Sequence, residues 1–292
     1  MVDPDSPRRW DYLGLKEVKE ALQNTVLVDA AWLVSLSESN GILPRCQEVP
    51  PEAHVTLSEM EAWPCPNKSC KVGVLSISYP WLHRDHPDPR GEQLKKISFV
   101  LRAFAKQARS YGPNCKVGVF WDYCAIPQRS PSGADDRTAE QLAVHKRALK
   151  TINTWYACQQ TYVLLVTTAL PDSATNRQSY NGRGWCLAEM AMASIVKDAS
   201  ALLDLSQLEG TEETVGLIER HGRARRRPPT APDAFSKMLH AGVASGSVCF
   251  TNLSDAAIVS ELYERAFSQE MAQATELYYE RCGAIGLDPP PV

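Results

Sequence analysis

The sequence predicts an α/β protein: a parallel sheet of four to five strands with helices on both faces, flanked by helical N- and C-terminal extensions. Three observations carry that expectation. Short, nearly continuous apolar runs recur at residues 72–77, 116–121, 161–166 and 201–205, as expected of strands covered on both faces. Amphipathic stretches long enough for crossover helices separate them, which argues parallel pairing. The first three runs end in polar or aromatic residues, Ser78, Tyr79 and Trp81, then Asp122, then Thr167, at the edge where open α/β sheets bind ligands.

Taken in order, residues 15–36 place Leu15, Val18, Leu22, Val26, Ala30 and Leu33 at roughly helical spacing, and Gly41 supplies a stop. Five prolines between Pro44 and Pro66 then make a strap with a boundary near Cys70, so residues 1–70 read as a helical and proline-rich extension. After the first strand and the loop HRDHPDPRGE, residues 92–109 set Leu94, Ile97, Val100, Leu101 and Phe104 on one helical side. The second strand leads through a long loop to a helix at 138–157, capped by Thr138, with Leu142, His145, Leu149 and Ile152 inward. The third strand runs through residues 167–183 into another helix, and the α/β unit closes near residue 208. Residues 209–292 hold a basic, proline-rich hinge, RHGRARRRPPTAP, and two further helical stretches at 233–241 and 254–282.

Composition narrows the function. A chain of 292 residues with 44% hydrophobic content can bury a full core, and a net charge of -3 supplies no global field for nucleic acid or anionic membranes. The opening MVDPDSPRRW has acid and proline where a secretory signal needs an apolar core, and no apolar run approaches a membrane span. With nine cysteines, several inside apolar segments, the expectation is a cytoplasmic protein with reduced thiols.

The stretch at 180–194, YNGRGWCLAEMAMAS, organises the rest. Gly182 and Gly184 are expected to let the loop turn sharply into a helix carrying Trp185 and Glu189 four apart on one face. Leu187, Met190, Ala191 and Ser194 are left to pack on the sheet. Such a carboxylate is either a solvated acid near a helix start or a functional group at a cleft. An indole at the spacing of Trp185 is more often a plug between helix and sheet.

Other chemistries are weaker. Phosphate-cradling glycine motifs are absent from the sequence. His83, Asp85, His86 and Asp88 are of metal-ligand type, as are Cys46, His54, Cys65 and Cys70, but neither spacing is that of a compact metal module, and no metal is expected. Cys124 with His145 makes a paper nucleophile. The cluster from Arg223 to Arg227 lacks interleaved aromatics and reads as a solvated hinge rather than a nucleic-acid site.

In order, VGVLSISYPW, KVGVFWD, TYVLLVTTAL and RGWCLAEM resemble the strand and helix blocks of Toll/interleukin-1 receptor (TIR) domains, most of all the plant and protist types, over about residues 71–205. That resemblance implies a flavodoxin-like sheet and a role in signalling or innate immunity. It also implies cleavage of NAD at the nicotinamide-ribosyl bond, with NAD as substrate rather than cofactor. The glutamate of the Trp-Cys-Leu-x-Glu motif, Glu189 here, would be catalytic. Helper roles then fall to Tyr79, Trp81 or Trp185 beside a flat ring, Ser78 and Asp122 at sugar hydroxyls, and Arg84 and Arg183 at the pyrophosphate. The implied partners are NAD or a related nucleotide and other TIR-like domains, including copies of this chain. A non-catalytic scaffold and a nucleoside or nucleotide-sugar transferase are the alternatives.

Overall fold

The computed structural model describes residues 15–64, 71–132 and 134–284. Five strands, β1 (Val28–Asp29), β2 (Val74–Ser78), β3 (Gly118–Phe120), β4 (Tyr162–Leu165) and β5 (Leu202–Asp204), form one sheet of order β1-β3-β2-β4-β5. Strands β2 to β5 are parallel, whereas β1 runs antiparallel to β3, so the sheet is mixed rather than wholly parallel.

The N-terminal extension differs from the single helix expected over residues 15–36. It comprises α1 (Lys16–Ala21), β1 (Val28–Asp29) and α2 (Ala30–Glu38). The spacing misled because nearly every third or fourth residue is apolar across both helices and the strand between them. Asp29 breaks the pattern: its carboxylate accepts the Ala31 N–H at 2.8 Å and caps α2. Val28 sits opposite Val119, while on the outer side of β1 the Val55 N–H bonds the Leu27 carbonyl. Asp29→Ala is expected to lower stability by about 1 kcal/mol, read as an earlier midpoint in urea unfolding. A short helix, α3 (Leu57–Glu61), follows and opens with a Thr56–Glu59 capping box.

The central strand β2 (Val74–Ser78) is buried throughout, as its apolar run requires. The following helix α4 (Glu92–Tyr111) buries Leu94, Ile97, Val100, Leu101 and Phe104 completely, each worth about 1.5–3 kcal/mol. It packs on α2. Next come β3 (Gly118–Phe120), the single turn α5 (Asp122–Ala125), α6 (Ala139–Thr151) and α7 (Asn153–Ala157). Thr138 caps α6 with Gln141 as expected, but the helix predicted to reach residue 157 breaks at Ile152. Burial changes at that break. Only Ala148 of α6 is buried, whereas α7 buries Trp155 and Tyr156, the former stacked on Phe120 at 5.0 Å.

After β4 (Tyr162–Leu165), helix α8 (Gly184–Val196) leads to β5 (Leu202–Asp204). Lys197, just beyond α8, is fully buried, and burial pulls its pKa down to about 7. Its ammonium donates to the Cys158 and Thr161 carbonyls and the Thr161 hydroxyl, which fills all three donors and ties α8 to the start of β4. Three further α-helices follow among the described residues: α9 (Val215–His221), α10 (Pro232–Ser245) and α11 (Asp255–Ala284). The basic stretch between α9 and α10 runs beside β5, with the Ala224 N–H on the Leu202 carbonyl and the Asp204 N–H on the Gly222 carbonyl. No helix among the described residues is long and apolar enough to cross a membrane.

Two cores result. One face of the sheet is covered by α2, α4 and α9, the other by α1, α7, α8, α10 and α11. The parallel strands therefore lie in the spatial order second, first, third, fourth. The chain leaves β2 towards α4 on one face and leaves β4 towards α8 on the other. This reversal makes a topological switch point at the carboxyl ends of β2 and β4, where Ser78 faces Leu165.

Candidate functional site

Ser78 ends the strand on one side of that switch point, and α8 brings Glu189 to meet it. The Ser78 hydroxyl lies 2.5 Å from Glu189 Oε2 and 2.5 Å from the Tyr180 hydroxyl. Tyr180 lies 3.2 Å from the Cys186 carbonyl. The Tyr156 hydroxyl, which donates to the Ile77 carbonyl at 3.5 Å, acts on the Glu189 carboxyl and favours its ionised form. Glu189 is 8% exposed, and Ser78, Tyr156 and Tyr180 are buried around it. Burial raises the Glu189 pKa to about 8, opposed by the Ser78 hydrogen bond and the neighbouring Tyr156 hydroxyl and helped by the field of Asp122.

This chain of hydroxyls suits either protonation state. When Glu189 is ionised, Ser78 donates to it and Tyr180 donates to Ser78. When Glu189 is protonated, its O–H can donate to Ser78, Ser78 to Tyr180, and Tyr180 to the Cys186 carbonyl. One reversal of direction moves the network between the two states without moving a heavy atom.

The helix reaches this position by a different route from the one expected. Gly182 and Gly184 do not have positive φ; they serve close approach. A Cβ on Gly184 would fall 1.9 Å from the Phe250 ring. Nearly all of α8 is buried, because the sheet and α7 cover one side and α11 the other. Its sheet side is marked by Glu189 and by Cys186, whose thiol bonds the Tyr79 carbonyl, whereas Leu187, Ala191 and Ser194 of the expected sheet-facing set, Leu187, Met190, Ala191 and Ser194, are turned away from those two by the helical pitch. Trp185 turns to α11, donating from Nε1 to Asp255 at 2.9 Å. It is no wall of the Glu189 site.

Tyr79, Trp81 and Asp122 do come together at the same edge, but bonded to each other. The Tyr79 hydroxyl and Trp81 Nε1 donate to the two Asp122 oxygens at 2.6 and 3.1 Å. Burial raises the Asp122 pKa, and these donors oppose the rise. Arg183 is buried, and its guanidinium donates to the Gln178, Trp81 and Asn176 carbonyls at 2.8, 2.8 and 3.0 Å. It staples the loop after β4 to the loop after β2, a role that replaces the expected pyrophosphate contact. Arg84 is exposed and joins none of these contacts.

The weaker candidates have structural employment. His86 bonds the Leu43 carbonyl, and Asp88 accepts the Leu94 N–H at the start of α4. Cys124 and His145 bond different backbone carbonyls, those of Pro44 and Pro127, and burial holds the Cys124 thiol well above its usual range. Cys65 and Cys70 lie outside the described residues. Among the described residues no group of three or more His, Cys, Asp or Glu is placed to hold a metal ion. A cavity of about 340 Å³ lies away from Glu189, lined by Lys19, Leu22, Val26, His54 and Val55.

Sequence reasoning missed Tyr156 and Tyr180. Tyr180 heads the stretch that carries Glu189, and a phenol next to a buried-helix motif was the available signal. Tyr156 had none, because its position depends on the break at Ile152. Comparison with known proteins returns no match, whether to a family model, a curated protein or a solved structure.

Proposed function

We propose that the chain is a TIR-like, flavodoxin-like protein that takes NAD or a related nucleotide at the β2/β4 switch point and cleaves its nicotinamide-ribosyl bond, with Glu189 as the catalytic carboxylate. The observation that supports this reading is a buried carboxyl, bonded by the Ser78 hydroxyl and, among the described residues, by no cation, at the strand ends where folds of this strand order take their ligands. Burying such a group is costly, and a perturbed acid at a sheet edge is a feature of functional sites. Nicotinamide departs neutral from a pyridinium, so the reaction needs no proton donor for the leaving group. It needs negative charge near the ribosyl cation. A pyridinium ring entering the site favours the ionised glutamate, which Ser78 is placed to orient.

At 8% exposure, Glu189 is sealed in this conformation, and the reading requires the loop at 166–183 to open. Self-association is one source of that opening. The test is incubation of concentrated protein with NAD and chromatography of the products, wild type beside Glu189→Ala. Nicotinamide from the wild type alone is expected; none from either ends the hydrolase reading.

The sealed carboxyl favours a second reading, a non-catalytic scaffold that binds TIR-like domains. It predicts that Glu189→Gln leaves self-association unchanged while substitutions in the exposed loop around Ser130 and Asp136 remove it, as measured by sedimentation. A transferase would show in the same chromatogram as exchange with an added free base.

A further inference from the structure

The hinge that carries the Glu189 helix is held from outside the α/β unit. The Cys249 N–H bonds the Gly182 carbonyl at 2.8 Å, and the Gly184 N–H bonds the Cys249 carbonyl at 3.0 Å. Gln178 reaches the Ser247 carbonyl, the Phe250 ring fills the space over Gly184, and Asp255 at the head of α11 accepts from Trp185. Both peptide groups flanking Arg183, and the first turn of α8, are thus bonded to residues 247–255.

This grip is lightly anchored. Between Ala244 and Ser254 only Val248 is buried and Phe250 half-buried; the other residues, with Leu253 at 72%, are exposed. Segments with few buried contacts open at low free energy. Meanwhile Arg183 ties the same hinge to the loop after β2, as do the Thr175 and Asn176 N–H groups on the Leu82 carbonyl, so release at Cys249 removes one of several restraints on it.

We propose that residues 247–255 are a latch: docked, they seal Glu189, and undocked, they let the start of α8 and the loop before it swing away from Ser78. As a control on catalysis the latch rests on the hydrolase reading; as a conformational device it does not. The test uses the full chain with Phe250→Ala and, separately, Asp255→Asn, which removes a charge and leaves the core intact. Carbodiimide labelling of Glu189, read by mass spectrometry, reports access to the carboxyl whether or not the protein is an enzyme, and hydrogen exchange reports the Gly184 N–H.

Both readouts are expected to rise by about tenfold in Phe250→Ala, with a smaller rise in Asp255→Asn and faster nicotinamide release from NAD. Unchanged labelling in both variants overturns the latch. Increased labelling with no nicotinamide from any form upholds the latch and removes the hydrolase reading. Increased labelling with release no faster than in an active wild type overturns its control of catalysis.

Discussion

Glu189→Gln is expected to stabilise the protein and, on the hydrolase reading, to slow nicotinamide release severely. In the folded chain burial lifts the carboxyl from its ordinary 4.5 to about 8. Between those values the folded state holds a proton that the unfolded state gives up, so wild-type stability falls as pH rises through the window. Glutamine imitates the protonated acid and does not titrate. The two proteins should be similar near the acid end of the window and diverge above it, with glutamine ahead by on the order of 2–4 kcal/mol once both carboxyl states are ionised. Urea unfolding at about pH 5 and about pH 9 measures the gap; a gap that does not widen refutes the buried acid. On the hydrolase reading the same substitution removes the charge proposed to face the ribosyl cation, and a loss on the order of 10²–10³-fold in release is expected. In the active wild type, release should increase with pH as Glu189 ionises, which separates a working carboxylate from a donor acid, whose activity would decrease.

Arg183→Gln carries the other large effect. Three carbonyls from residues 81, 176 and 178 converge on one guanidinium, and hydrogen bonds from a charged donor contribute about 1.5–3 kcal/mol each, less what water and loop relaxation recover. A net destabilisation of about 2–4 kcal/mol is expected, with faster amide exchange in both loops it joins. Arg183→Lys keeps the charge but presents a point donor where a planar fork is required, and should recover less than half of the loss. Equal recovery by lysine would show that charge alone, and not the span of the fork, holds the loops together.

How far the fold was legible depended on how many neighbours an element has. The parallel strands and α4 were readable because a run buried on both faces, or a helix with one wet face, writes its environment into its own pattern. Leu94 to Phe104 on α4 is such a case. Helix α8 is covered on two sides, so its sequence is apolar all round, and nothing in it says which side meets the sheet. That is why Trp185 and Glu189, only four residues apart, were assigned to one cleft when one faces α11 and the other β2. Asp29 shows a signal overlooked, a capping residue inside a helical-looking run. The partners of Arg183 were beyond reach for a different reason: backbone carbonyls of irregular loops leave no trace in residue identity. Glu189 itself was legible from its motif, but its burial was not.

The two margins of the sheet bear on how copies of this chain can assemble. Beyond β1 the backbone is taken by residues 54 and 55, and beyond β5 by residues 222–224, so neither outer strand offers a free ladder to a newcomer. Edge-to-edge polymerisation is thereby blocked. Any filament or oligomer formed by folded copies must be joined through helix surfaces and loops, and its fibre diffraction should lack the ~4.8 Å cross-β reflection along the axis that stacked sheets produce.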